Sequence, residues 1–315
     1  MKSKQLVPIL GAVVVACLGI GLAFLISGGS QRVVTVPPEE ASESVIPPLP
    51  EPNGYEILLK VARQISEPKA GDVATMSRGE LESYLADTSD TFTLIEEIFA
   101  FDSRVNLDGE TEFSPKTEQD LAALERLGKR LLAEARLAED KVQIRDSLDY
   151  YLVLVRLGTY AARGGIPQHW RQGAALEQAG VAGLRGLLRR LNRENLARAR
   201  KEMATILGGR PDGEALLKWA ALLDQTLHAE HRAGLPGDEL ERVSKKREAA
   251  LYTSLEQLSA MRVLLLQLCV RAYEFEQGKA PEAVHELVPK FLEAIPENPL
   301  GDESFRLADL ETPEA

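Results

Sequence analysis

The chain has 315 residues, of which 5% are aromatic, and a formal net charge of −11. The length suits one or two domains, and the abundance of Leu, Ala, Glu and Arg favours helices, because these side chains lose little rotamer freedom there. An acidic protein repels phosphate backbones, so the charge argues against nucleic acid as a partner.

The first segment predicts a membrane anchor. Residues 6–27 carry no charge and follow Lys2 and Lys4, and at about 1.5 Å per residue they can cross a hydrocarbon core of roughly 30 Å. The lysines place the tip, residues 1–5, in the cytoplasm. The chain is therefore expected to be a single-pass signal-anchor protein of the cell inner membrane, with its bulk in the periplasm.

Two cleaved forms compete with the uncleaved anchor. The small residues at 27–30 would suit a signal peptidase. Residues 14–17, VVAC, resemble a bacterial lipobox, which would make Cys17 a lipidated N-terminus, but the ten residues after it stay apolar. Within the anchor, Ala12 and Ala16 have a spacing that lets two helices pack closely, which is compatible with a homo-oligomer.

A proline-rich linker follows at residues 28–54. Its six prolines lack an N–H group and have a fixed φ, so the segment cannot form a helix or a ladder. It is predicted to be a semi-rigid tether that reaches up to ~80 Å when extended.

Residues 55–270 are predicted to form an all-α domain, because helix start and stop signals recur and no stretch alternates like a strand. Asn53 with Glu56, and Ser77 with Glu80, have the spacing of a capping box. The later helices are predicted at about 115–139, 141–163, 167–191, 192–209, 212–234 and 238–277.

The segment 118–163 resembles a tetratricopeptide-type helical hairpin. No 34-residue period recurs, so the packing is predicted to be solenoid-like without a counted repeat array. Four glycines share the helix after it, and we expect them to mark close approach of a neighbouring helix. They are Gly173, Gly180, Gly183 and Gly186.

Residues 92–96, FTLIE, resemble the start of mature pilin-type subunits. Thr91 stands where that motif needs a glycine, and Asp102 and Arg104 follow within ten residues. The stretch is therefore interpreted as a short amphipathic helix and not as a processing site.

The search for chemistry nominates no catalytic residue and no cofactor. His228 and His231 share one helix face, as two zinc ligands would, but further ligands are remote in sequence. No carboxylate stands in an apolar setting that would raise its pKa. Cys269, in an apolar run, is interpreted as an inert core thiol that has no disulfide partner.

Several stretches resemble a group of membrane-anchored helical proteins abundant in planctomycete-type bacteria. They are NGYEILLKVARQI from Asn53, DLAALERLGKRLLAEARLAED from Asp120, SLDYYLVLVRLG from Ser147, and the tail from Arg262 to Leu307. The resemblance implies location and architecture and implies no activity.

The tail, residues 271–315, also resembles the C-terminal part of pseudopilins, through Tyr273, Gly278 and Pro281. Gly278 is predicted to end the long helix in a left-handed cap, and Pro281 to begin a short helix. Prolines would then lead into an extended strap that closes the fold, before a disordered end. Departures stand at Asn298, Leu300 and Leu307, and some pseudopilins bind calcium here, but the sparse acids argue against a transferred calcium site.

These patterns favour a membrane-anchored helical scaffold or protein-binding module without catalytic activity. Such a module would present its helical grooves to a protein partner. The alternative is a subunit associated with a secretion or pilus system, suggested by the tail. A less favoured class is a metal-dependent hydrolase with its metal at His228 and His231.

Overall fold

Helices are the only regular secondary structure in the part of the chain that the computed structural model describes, which is residues 46–68, 72–86, 91–107, 114–226, 237–301 and 304–310. This confirms the all-α class. The α-helices are α1 (Gly54–Ala62), α2 (Arg78–Leu85), α3 (Thr91–Ile98), α4 (Pro115–Asp140), α5 (Ile144–Ala162), α6 (Pro167–Leu187), α7 (Arg193–Gly209), α8 (Gly213–Thr226) and α9 (Gly237–Gln277). Short 3₁₀ helices lie at Val73–Thr75, Leu188–Arg190, Val284–Leu287 and Leu307–Leu310.

The predicted anchor at 6–27, with Cys17, lies outside the described residues, as does the tether up to residue 45. Within the described ranges, no helix combines the length and the apolar character that a membrane span needs.

Side-chain caps fix several helix starts where the sequence predicts them. Ser77 and Glu80 form the predicted capping box at α2, and Asn192 accepts a hydrogen bond from the backbone N–H of Asn195 at α7. Asn53 caps α1, but the second half of its predicted box is wrong, because Glu56 accepts from the Asn106 amide instead. Each cap satisfies backbone donors that the first helical turn leaves unpaired.

The antiparallel pair α5–α6 is the most extensive helix contact and forms the centre of the core. A Cβ on Gly173 would lie 2.6 Å from the Gly158 carbonyl oxygen, and one on Gly180 would lie 2.7 Å from that of Tyr151. Only glycine permits this approach, so the prediction that these glycines mark close helix packing is confirmed for Gly173 and Gly180. It is also confirmed for Gly183, where a Cβ would meet the Tyr151 ring. The prediction is wrong for Gly186, which has open space around it.

The chain after α9 folds back onto the core, and we call the described residues 278–301 and 304–310 the closing segment. Gly278, with φ of +70°, forms the predicted left-handed cap. The predicted helix start at Pro281 is wrong: the short helix begins at Val284, because the Glu286 carboxylate already takes the N–H groups of Glu282 and Ala283. The closing segment buries the side chains of Val284, Leu287, Phe291, Phe305 and Leu310 in the main core.

Candidate functional site

The two histidines of the weakly predicted metal site, His228 and His231, lie outside the described residues. Among the residues that the structure describes, no group of three acids, histidines or cysteines is placed to hold a metal ion. Cys269 is buried as predicted, and its thiol lies 3.4 Å from the Phe291 carbonyl oxygen. Burial raises the pKa of this thiol to about 12, which keeps it protonated and unreactive.

A buried ion pair between Glu177 on α6 and Arg210, just after α7, forms the centre of the candidate site. Arg210 Nε donates to Glu177 Oε1 and Nη2 donates to Oε2, both at 2.9 Å. The side chains are only 1% and 6% exposed, respectively. The fork-to-fork geometry is the strongest form of such a pair, because two parallel charge-assisted bonds fix both planes.

Neighbouring hydroxyl groups complete the network around this pair. Thr159 on α5 donates to Glu177 Oε1 at 2.8 Å, and Arg210 Nη2 also reaches the carbonyl and the hydroxyl oxygens of Ser254 on α9 at 3.1 and 3.3 Å. Glu177 therefore accepts three hydrogen bonds, and the pair joins α5, α6 and α9 to the end of α7.

Local structure explains why these two side chains meet. Glu177 lies four residues after Gly173 and three before Gly180, so helical periodicity places it on the glycine face that packs against α5. Helix α7 ends at Gly209, and the extended backbone of Arg210 (φ −87°, ψ 133°) turns the chain at that point. The side chain of Arg210 then projects into the space beside Glu177.

A cavity of about 250 Å³ opens beside the pair. Both tryptophans of the protein line it. Trp170 is fully buried, while the Trp219 indole N–H donates to the Gly165 carbonyl at 3.1 Å, which holds α8 across the cavity. The rest of the apolar lining comes from Pro47, Ala162, Ala174, Pro211, Ala215 and Leu216.

One N–H group of Arg210 is left unpaired by the residues that the structure describes. Among the described residues, its Nη1 group is buried and has no hydrogen-bond partner, and Arg210 is part of the cavity lining. Buried donors are almost always paired, because an unpaired one costs its full desolvation energy. The pair beside the cavity therefore keeps one donor that the described residues leave unsatisfied.

The rim of the cavity carries two more guanidinium groups. Arg163 donates to Asp102 at 2.9 Å and to the Gly209 carbonyl at 2.6 Å, and Arg104 donates to the Pro47 carbonyl at 2.6 Å. The lining contains three arginines and one glutamate, and with Asp102 as the partner of Arg163 the formal balance is +1. This is a local positive site in a chain with a net charge of −11.

The expectation that no carboxylate stands in an apolar setting that would raise its pKa is wrong at Asp149, where burial raises the pKa. Two further carboxylates are buried in ion pairs. Glu177 is almost fully buried among apolar and small residues, and Asp120, which pairs with Arg63 at 2.5 Å, is 3% exposed. Sequence reasoning missed Glu177, although its position on the glycine face was a usable signal. Nothing in the sequence indicated that Arg210, 33 residues later, would be its partner.

Compared with known protein families, curated proteins and solved structures, the chain has no match.

Proposed function

We propose that this protein is a membrane-anchored binding module whose solenoid-like helical domain recognises a partner through the cavity beside Glu177 and Arg210. The observation that carries the proposal is the tryptophan-lined cavity beside the rigid ion pair of Glu177 and Arg210, with further arginines among its lining residues. Apolar walls with a few placed polar groups are typical of recognition sites.

The groups around the cavity suit binding better than proton transfer. Glu177 already accepts three hydrogen bonds from Thr159 and Arg210, so it has little capacity left to act as a base. Arginine stays protonated at any physiological pH. A rigid, charged and hydrogen-bonded pair orients a ligand, and we assign it no catalytic step.

The proposed setting is extracytoplasmic. Residues 6–27 would cross the inner membrane with residues 1–5 in the cytoplasm, and the proline-rich linker would hold the helical domain away from the bilayer. Alkaline phosphatase fused after the linker tests this topology, because the enzyme is active only outside the cytoplasm. An inactive fusion that is stably produced would contradict it.

A second candidate function, a subunit associated with a secretion or pilus system, is favoured by one observation. The tail has the pseudopilin-like Tyr273 and Gly278, and the Tyr273 hydroxyl donates to Glu286 at 2.6 Å, which joins the end of α9 to the closing segment. This arrangement supports a folding role for the motif at least as well, so we rank this function second.

Photo-crosslinking in native membranes tests the binding function. A benzoylphenylalanine placed at Ala215, an exposed residue of the cavity lining, is compared with one at Ala221, which is exposed on the same helix α8 but outside the lining. We expect a recurrent product from position 215 only. Equal labelling from both positions, or none above background, contradicts the proposal, and secretion components crosslinked through the tail would favour the second function.

A further inference from the structure

From the charge and shape of this cavity we infer that its ligand is a carboxylate carried on a compact apolar body of about one ring. The inference depends on the proposed function and names the class of ligand for the same site.

The charge of the lining selects an anion. Arg104, Arg163 and Arg210 outnumber the one acidic lining residue, Glu177. Glu177 neutralises Arg210, so the positive charge that remains on the lining belongs to Arg104 and Arg163. The planar fork of a guanidinium group matches the two oxygens of a carboxylate, and this fit favours a carboxylate over an anion that acts as a point charge.

The rim supports the same choice. Asp102 pairs with Arg163, but it is 70% exposed, so solvent screens this contact more strongly than it screens the buried pair. Arg104 makes its hydrogen bond to a backbone carbonyl, that of Pro47, which leaves its charge uncompensated by that contact. Both guanidinium groups therefore favour an anionic ligand on its way into the cavity.

The walls and the volume set the size of the apolar body. A dry cavity of roughly 150 Å³ accommodates benzene, so a cavity of about 250 Å³ has room for one ring and a short acidic substituent. The half-buried side chain of Trp219 offers apolar surface to such a ring, and offset or edge-on ring contacts are favourable.

Two kinds of molecule carry a carboxylate on a compact apolar body. A free small acid supplies it, and so does the last residue of a protein partner, whose terminal carboxylate sits beside an apolar side chain. The experiment below separates the two, and both fit the inferred class.

Intrinsic fluorescence of the full-length protein provides the measurement, because both tryptophans line the cavity. Three probes share a phenyl ring and differ in charge: phenylacetate, phenylacetamide and phenethylamine. We expect a saturable change with phenylacetate at an affinity at least tenfold above that of phenylacetamide, which corresponds to about 1.4 kcal/mol, and no saturable change with phenethylamine.

Two matched variants locate the binding. Ala215→Phe fills the cavity entrance and should weaken phenylacetate at least tenfold, whereas Ala221→Phe, an exposed position on the same helix, should leave it unchanged. Arg163→Gln removes a half-exposed rim charge and should weaken phenylacetate without changing phenylacetamide. Circular dichroism at the helical band shows that each variant is folded.

Peptides then identify the source. A tetrapeptide that ends in phenylalanine and binds tighter than phenylacetate, but not when amidated, indicates a partner's C-terminus; an affinity no higher than that of phenylacetate indicates a small free acid.

Several results would overturn the ligand class. They are equal affinity for phenylacetate and phenylacetamide, preference for phenethylamine, or the absence of saturable binding by any probe. If the position-215 crosslink persists in these cases, the binding function stands and only the ligand class fails; if it is absent as well, both fail.

Discussion

Removing Arg210 alone should strongly destabilise the protein. Glu177 accepts two hydrogen bonds from Arg210 and one from Thr159. Arg210→Met removes the first two, so the carboxylate, which is 1% exposed, keeps only the bond from the Thr159 hydroxyl. Breaking a buried pair in this way costs about 3–5 kcal/mol, which is a large part of the about 5–15 kcal/mol that holds a typical domain folded. With a urea slope of about 3 kcal/mol per M, the unfolding midpoint should fall by about 1–2 M.

Urea unfolding followed by circular dichroism measures this loss, and two controls test its cause. The double variant Arg210→Met, Glu177→Leu removes both charges and should recover most of the lost stability, since apolar replacement of a buried pair is often neutral. Lys218→Met breaks an exposed pair with Glu214, in which both side chains are 75% exposed, and should leave the urea midpoint almost unchanged. A loss below about 1 kcal/mol for the single variant, or no recovery in the double variant, would refute the reasoning.

Three further predictions test other parts of the fold. In the Cys17→Ser protein, Cys269 should react with a thiol reagent only after unfolding, because burial raises the pKa of its thiol; rapid labelling of the native protein would contradict this. Burial also raises the pKa of Tyr160 to about 12. The stability that its neutral hydroxyl contributes is therefore complete below about pH 10 and is lost as the pH rises towards 12, so the difference in urea midpoint between wild type and Tyr160→Phe should shrink over that range; a constant difference would count against it. Gly180→Ala should lower the thermal midpoint, at a cost of about 1–3 kcal/mol for overpacking, whereas Gly186→Ala, in open space, should raise it by up to about 1 kcal/mol of stability; equal effects would contradict the packing argument.

The sequence predicts most helix boundaries because their causes are local. The capping side chains of Ser77 and Asn192 lie within three residues of the N–H groups that they satisfy, and the cap at Gly278 depends on one residue's freedom to adopt a positive φ. The error at α1 has a different cause, because there a distant group intervenes. Glu56 bonds to Asn106, 50 residues away, and local spacing cannot reveal this competition.

The candidate site could be predicted only in part for the same reason. Helical periodicity places Glu177 on the close-packed face with Gly173 and Gly180, which indicates burial. Its partner Arg210 comes from the end of another helix, 33 residues away, and a chain with 37 lysines and arginines offers many equivalent candidates. The cavity arises from the packing of α5, α6, α8 and α9 together, and no periodic pattern encodes such a space.

The closing segment has a consequence for how the protein is made. Ribosomes deliver the chain from the N-terminus, so α9 emerges before the residues that cover it. Gln267 donates to the Leu310 carbonyl, and the Cys269 thiol contacts the Phe291 carbonyl. A nascent chain that reaches only Gln277 therefore exposes an apolar stripe of α9, which is the kind of surface that chaperones bind. A truncation that removes the segment would uncover the core residues that it covers, and the product would be a substrate for quality-control proteases.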